Sequence, residues 1–181
     1  VSGLEVWGKT IGVIGTGRIG KGVVQRAAGF NMNILANDAY PDHAFLERFG
    51  GQYVDLDRIY READFITIHA PLTDTTNNMI NERVLSMMKP TAVLINAARG
   101  GIVDEAALYM ALKEHRIYGA ALDATEIEPA CGSPLALLDN CILTPHAGAA
   151  TREASLKMGL LAAQNVIDVL RGKKCQYIVN E

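Results

Sequence analysis

The sequence is poor in cysteine: Cys131, Cys141 and Cys175 are odd in number and form no CxxC pair. With no signal-peptide pattern, that reads as a chain of the reducing cytoplasm and not as a disulfide-stapled secreted one. A surplus of charge is missing as well. The net charge is −3 and the Lys and Arg residues are dispersed, so there is no basic stripe for nucleic acid and no cationic amphipathic face for a membrane surface. No apolar stretch is long enough to span a bilayer, because Gln164, Asn165 and Asp168 interrupt the best candidate. The four histidines, His43, His69, His115 and His146, show no HExxH or paired spacing, and no metal site is expected. A GxSxG nucleophile elbow is absent. The run Gly3-Leu-Glu-Val-Trp-Gly8-Lys9-Thr10 formally matches the phosphate loop GxxxxGKT, but it leads into a strand and opens no helix, so its amides and Lys cannot converge on phosphates. What the chain does have is 49% hydrophobic residues in a length of 181. That is enough for one domain with a sizeable core, or slightly more, and suits a parallel sheet buried on both faces.

The most specific local pattern is Thr10-Ile-Gly-Val-Ile-Gly15-Thr-Gly17-Arg-Ile-Gly20, with Asp38 at 23 positions beyond Gly15. An apolar run over 9–14 enters a glycine turn, a helix over 19–30 leaves it, and a second strand over 32–37 ends at Asp38. Gly15 lets the strand turn sharply, Gly17 leaves room for a pyrophosphate to approach the backbone, and Gly20 lets the helix pack close to the strand. The helix then aims free N–H groups and its positive dipole end at the phosphates. A carboxylate at Asp38 accepts hydrogen bonds from ribose hydroxyls and repels a 2′-phosphate; with Asn37, Ala39 and Tyr40 around it and no adjacent Arg, NAD is favoured over NADP.

Short apolar runs recur at 11–14, 33–36, 65–68, 92–95, 119–122 and 141–143, with a weaker one at 53–54. Helical periodicity lies between them at 44–49, 56–61, 82–88 and 105–114, the last with Asp104 as its N-cap and Glu105 in its first turn. Strands alternating with helices in this way imply an α/β fold with a doubly wound parallel sheet and right-handed crossovers. Positions 1–150 read as the dinucleotide-binding domain. The remainder, 151–181, reads as one long helix over 151–171, capped by Thr151 and ended by Gly172, plus a tail. That helix has one apolar stripe at Leu156, Leu160, Ala163, Ile167 and Leu170 and a second at Ala154, Met158, Leu161, Val166 and Val169. Two apolar faces require two partners.

Three further segments follow strands at their C-terminal ends: Asn96-Ala-Ala-Arg99-Gly-Gly101, Asp123-Ala-Thr-Glu126-Ile-Glu128-Pro129 and Thr144-Pro-His146-Ala-Gly148. In an open parallel sheet that edge holds the ligand crevice. Singly, Arg99 reads as a surface loop residue, Glu128 as a solvated acid and His146 as a capping side chain. At one rim beside a nicotinamide they make a legible set. The histidine takes and returns a hydroxyl proton, a carboxylate on its other ring nitrogen fixes the tautomer, and the arginine grips a substrate carboxylate.

With these segments in view, the chain resembles, essentially end to end, the nucleotide-binding domain of the D-isomer-specific 2-hydroxyacid dehydrogenases, a Rossmann-type fold. The glycine turn, His69-Ala-Pro71-Leu-Thr73-Asp-Thr-Thr76, 96–101, Ala121-Leu-Asp123 through Glu128-Pro129, and 144–148 with Thr151 carry the resemblance. It implies that Arg99 contacts the substrate carboxylate and carbonyl, that His146 is the acid/base and that Glu128 is its partner. It implies that Arg18 and Ile19 contact the pyrophosphate and Asp38 the ribose. Pro71, Thr76, Ala97, Asp123 and Gly148 join Gly15, Gly17 and Gly20 in lining NAD, with Asp123 near the carboxamide. The substrate implied is a small 2-hydroxy or 2-oxo acid. Formate dehydrogenases, a related branch, carry Gln where Glu128 stands. Ala124-Thr125 replaces a bulkier pair, and Ala147 and Ala149 stand where Ile and Gly are frequent, which leaves the substrate preference open.

Family members carry a second, substrate-binding domain that has no counterpart in this sequence. The expectation is therefore the cofactor half of a longer dehydrogenase, a homodimer by analogy with relatives, able to bind NAD but slow to turn over alone. Two rivals stand beside it: an NAD(H)-sensing co-repressor-like binding module of the same family, and a phosphite dehydrogenase-like enzyme with a similar Arg, Glu and His set.

Overall fold

The computed structural model describes residues 3–175 and Tyr177; Val1 and the rest of the tail expected beyond Cys175 lie outside the described residues. Strands and helices alternate as β1 (Thr10–Ile14), α1 (Arg18–Gly29), β2 (Asn33–Asn37), α2 (His43–Glu47), β3 (Gln52–Tyr53), α3 (Leu56–Glu62), β4 (Phe65–Ile68), α4 (Glu82–Met87), β5 (Val93–Asn96), α5 (Glu105–Lys113), β6 (Gly119–Leu122), a 3₁₀ turn (Pro134–Leu137), β7 (Cys141–Leu143) and α6 (Arg152–Leu170). The chain divides into two compact units, 1–145 and 146–181.

The first unit holds one seven-stranded sheet, parallel throughout, in the order β3-β2-β1-β4-β5-β6-β7. The order reverses between β1 and β4. Right-handed crossovers that run one way from this switch point place their helices on one face, and those that run the other way use the opposite face. Accordingly α1 and α2 close a core of Ile11, Val13, Val24, Ala27, Ile34, Ala36 and Leu46. On the other face α3, α4 and α5 close a larger core built on Ile59, Ile66, Ile68, Leu85, Leu94, Leu108, Leu112 and Leu122. Each of these large side chains contributes about 1.5–3 kcal/mol by leaving water.

Burial on both sheet faces holds only in part within this unit. Because the crossovers from β4 onward all run on the larger core's side, the opposite face of β5–β7 has no helix of the unit on it. Val93, Ile95 and Ala121 are only half-buried there, and Ile142 is 64% exposed.

Helix starts follow the expected chemistry. Asp42, Asp55, Asn81 and Asp104 each accept a hydrogen bond from a first-turn N–H of α2, α3, α4 and α5. In the second unit Thr151 does the same for α6, accepting from Ala154 N at 3.0 Å, and Gly172 follows the helix with φ +71. Among the described α-helices α1 alone lacks a side-chain cap: its N-cap is Gly17, and its first turn has no acidic residue. No described helix is long and apolar enough to cross a membrane, and the three cysteines are free thiols.

Two close approaches set α1 in place. A Cβ on Gly20 would lie 1.9 Å from the Gly15 carbonyl oxygen, and one on Gly15, whose φ is +91, would lie 2.6 Å from the Ala70 nitrogen. Backbone fills both spaces, so neither can yield by rotating a side chain. Gly20→Ala should therefore destabilise the fold by about 2 kcal/mol or more, as overpacking does, seen as a lower urea midpoint at unchanged slope; an unaltered midpoint would contradict the contact.

Candidate functional site

The site grows from the switch point. β1 and β4 exit side by side, with His69 N bonded to Ile14 O at 2.7 Å and Gly15 N to Asn37 O at 2.8 Å. The uncapped end of α1 opens directly after. A Cβ built on Gly17 meets nothing within 4 Å, although Gly17 has φ −65 and ψ −165, an extended backbone open to any residue. The glycine is thus explained neither by neighbours nor by conformation. Open space beside an uncapped helix start with unneutralised dipole suits a pyrophosphate.

A cleft of about 550 Å³ adjoins this turn, lined by Ile19, His69, Ala70, Pro71, Leu72, Ala97, Ala98 and Arg99. Four residues singled out in the sequence, Ile19, Pro71, Ala97 and Arg99, therefore share one wall-to-wall space. Arg18 begins α1 beside Ile19. Thr76 shapes the loop after β4: its hydroxyl donates to Pro71 O at 2.7 Å and accepts from Thr73 N at 2.8 Å.

Asn96, which sequence reasoning left without a role, builds the loop that carries Arg99. Its side chain is buried, donates to Arg99 O (2.9 Å) and Ala124 O (3.3 Å) and accepts from Ala98 N (3.1 Å). It ties the loops after β5 and β6 together, and a buried amide so engaged is costly to disturb. The signal was present: one polar residue closes an apolar strand. The same two loops touch at Gly100, where a Cβ would lie 2.0 Å from Thr125 O. Thr125 N in turn donates to Glu128 Oε1 at 3.3 Å. The loop of Arg99 and the loop of Glu128 are thereby packed backbone to backbone. Asp123 ends β6, with its amide on Asn96 O at 2.9 Å and its carboxylate accepting from Thr144 Oγ1 at 2.5 Å. His146, with φ 53 in the left-handed region, opens the second unit, to which Gly148 also belongs.

Asp38 closes the far side of the glycine turn. Its Oδ2 accepts from Thr16 N (2.5 Å) and Thr16 Oγ1 (3.1 Å), and its Oδ1 from Tyr40 N (2.8 Å).

The comparisons decide the family. The family model described as "D-isomer specific 2-hydroxyacid dehydrogenase, NAD binding domain" matches residues 1–148. The chain belongs to this family. It is 48% identical over 179 residues to D-3-phosphoglycerate dehydrogenase of Methanocaldococcus jannaschii, covering 98% of this chain and 34% of that one. It is 46% identical over 179 residues to glyoxylate reductase of Pyrococcus furiosus, covering 99% and 53%. Its structure is similar to a D-lactate dehydrogenase with NAD+ from Lactobacillus jensenii, with a TM-score of 0.90 at 34% identity over 98% of this chain and 57% of that one. The chain is thus an NAD-binding domain with the Rossmann-like sheet, and it spans a third to somewhat over half the length of these relatives.

His69 adds a pH dependence. Its Nε2 lies 2.9 Å from Thr67 Oγ1, its Nδ1 is buried with no partner, and burial lowers its pKa from 6.5. The folded chain binds this proton less readily than the unfolded chain. Stability is therefore full above about pH 6.5 and falls as the pH drops through the lowered folded value. Urea midpoints measured from pH 8 to pH 5 should decline on the acid side, and His69→Gln should lessen the decline; an identical decline in the variant would show that another group is responsible. A second expectation concerns Gly17. Gly17→Ala should leave the unfolding free energy from urea titration within about 0.5 kcal/mol and weaken NAD binding by about tenfold or more, worth roughly 1.4 kcal/mol. Titration showing undiminished affinity would contradict the assignment of that space to pyrophosphate.

Proposed function

We propose that this domain serves an NAD-dependent dehydrogenase that interconverts a D-2-hydroxy acid and its 2-oxo acid. One observation carries the reading: a single cleft is lined by Ile19, at the uncapped start of α1, and by Arg99. A planar guanidinium beside a nicotinamide pocket suits a substrate that carries a carboxylate next to the reacting carbon.

NAD, when bound, supplies or takes up the hydride. The chain's own residues handle the rest. Gly15, Gly17, Arg18, Ile19 and Gly20 hold the pyrophosphate, and Asp38 accepts from the adenosine ribose. Pro71, Thr76, Ala97, Asp123 and Gly148 line the remainder, with Asp123 toward the carboxamide. Arg99 binds the substrate carboxylate and polarises the carbonyl. His146 takes the proton from the substrate hydroxyl at one ring nitrogen and returns it in the reverse direction. Glu128 accepts from the other nitrogen, fixing the tautomer and the orientation of the ring. These roles rest on the sequence pattern and, for Arg99 and Glu128, on the packing of their loops through Asn96 and Gly100. The division into a binding domain at 1–150 and a returning helix and tail at 151–181, a homodimer and a cytoplasmic location belong to the same proposal. So does a substrate domain, supplied by chain outside this sequence, that excludes water from the cleft.

The test uses the longer protein that carries this domain. Arg99→Ala and His146→Ala should each lower kcat/KM by about 100-fold or more, and His146→Ala should erase one limb of the pH–rate profile, while NADH affinity stays within about twofold of the parent. Full turnover of D-2-hydroxy acids in either variant would overturn the assignment.

A further inference from the structure

Asp38 is held by a chain of hydrogen bonds that reaches well beyond the glycine turn. Thr16 Oγ1 lies 3.1 Å from Asp38 Oδ2 and 2.7 Å from Tyr53 OH, and Asp42 N donates to Tyr53 OH at 3.1 Å. The two ends fix the direction of the chain. A backbone N–H can only donate and an ionised carboxylate can only accept. The Thr16 hydroxyl must therefore give its proton to Asp38 and accept from the Tyr53 hydroxyl, which accepts from Asp42 N–H. Every hydroxyl in the path is used once in each sense, an arrangement in which neighbouring bonds strengthen one another.

The far end is anchored. One Asp42 oxygen caps α2 through Phe45 N at 3.1 Å, and the other pairs with Lys21 of α1. Lys21 also stands 4.8 Å over the Phe45 ring. Tyr53 is half-buried, sits on the two-residue edge strand β3 and meets the His43 ring edge-on at 5.1 Å. Tyr60 shows the contrast: its buried hydroxyl has no partner, and burial pushes its pKa up to about 12. The Tyr53 hydroxyl, by comparison, spends both its bonds on the frame around Asp38.

We propose that Tyr53, acting through Thr16, is a positioning residue that selects NAD over its 2′-phosphorylated form, an inference that rests on Asp38 being the ribose acceptor. Three protein donors occupy three of the roughly four acceptor positions of the carboxylate, so it cannot swing aside. A ribose hydroxyl meets a preset acceptor. A 2′-phosphate meets a fixed like charge, and Lys21, the cation in this network, is already engaged by Asp42. Without the relay Asp38 keeps only its two backbone donors, Thr16 N and Tyr40 N, and is held less tightly, which costs affinity for NAD and lessens the repulsion of the phosphate.

The experiment measures NADH and NADPH dissociation constants for this chain and its variants by titration. Tyr53→Phe and Thr16→Val should each weaken NADH about two- to tenfold, the usual span for one lost hydrogen bond, with NADPH unchanged or tighter, so that the selectivity ratio shrinks. Thr16→Ser, which keeps the hydroxyl, should retain the parent ratio. In an Asp38→Ala background Tyr53→Phe should change nothing further. Equal weakening of both cofactors in Tyr53→Phe would reduce Tyr53 to a structural residue and overturn the relay. If Asp38→Ala lowers selectivity and Tyr53→Phe does not, the relay alone fails. If Asp38→Ala itself leaves both constants unchanged, the ribose assignment fails with it.

Discussion

The contact of Gly20 against the Gly15 carbonyl, with no room for even one methyl group, is what the remainder of the site depends on. It brings the first turn of α1 down onto the end of β1, at the point where the sheet order reverses. A helix start in that position would ordinarily be neutralised by a side chain, as α2 to α6 are by Asp42, Asp55, Asn81, Asp104 and Thr151. Here Gly17 supplies no cap and the first turn holds no acidic residue, an arrangement that suits a ligand anion. Stability and binding therefore meet in three glycines with separate duties. Gly15 takes the left-handed turn, Gly20 permits close packing, and Gly17 keeps space open.

Around that point the fold uses buried and half-buried polar groups as struts. Asn96 spans the loops of β5 and β6 and so sets the position of Arg99 relative to the segment ending at Glu128. Asp38, Thr16, Tyr53 and Asp42 form the corresponding strut beside the glycine turn. Both lie at strand ends, where the backbone leaves its ladder and side chains must satisfy what the sheet no longer does. A parallel sheet makes such sites economical, because every strand delivers its exit loop to the same edge.

Much of this was legible in the sequence. Period and punctuation located all seven strands, even β3, where the weak run at 53–54 became Gln52–Tyr53. Asp104 and Thr151 act as the expected N-caps, and Gly172 ends α6. The GxxxxGKT look-alike leads from a turn into β1, as its lack of a following helix required. The 3₁₀ turn at Pro134–Leu137 was missed, being too short to show a period. That no described helix of the first unit covers one face of β5–β7 was also missed, since composition reports how much apolar surface exists and not which crossover covers it. Asn96, Thr16 and Tyr53 escaped notice for a related reason. Their importance lies in partners 22 to 37 positions apart, and no local pattern encodes that geometry. The positions of Asp38 after β2 and of Arg99 after β5 were readable because glycine spacing and strand ends fix them locally.

On the reading proposed above, the first turn of α1 is the anion seat of an NAD site. Amide chemical-shift mapping on the 15N-labelled chain tests it most directly. On addition of NAD, the largest perturbations should fall on Gly17, Arg18 and Ile19, with a second group at Thr16 and Asp38. Saturable perturbations confined to other surfaces, or none at millimolar NAD, would contradict it.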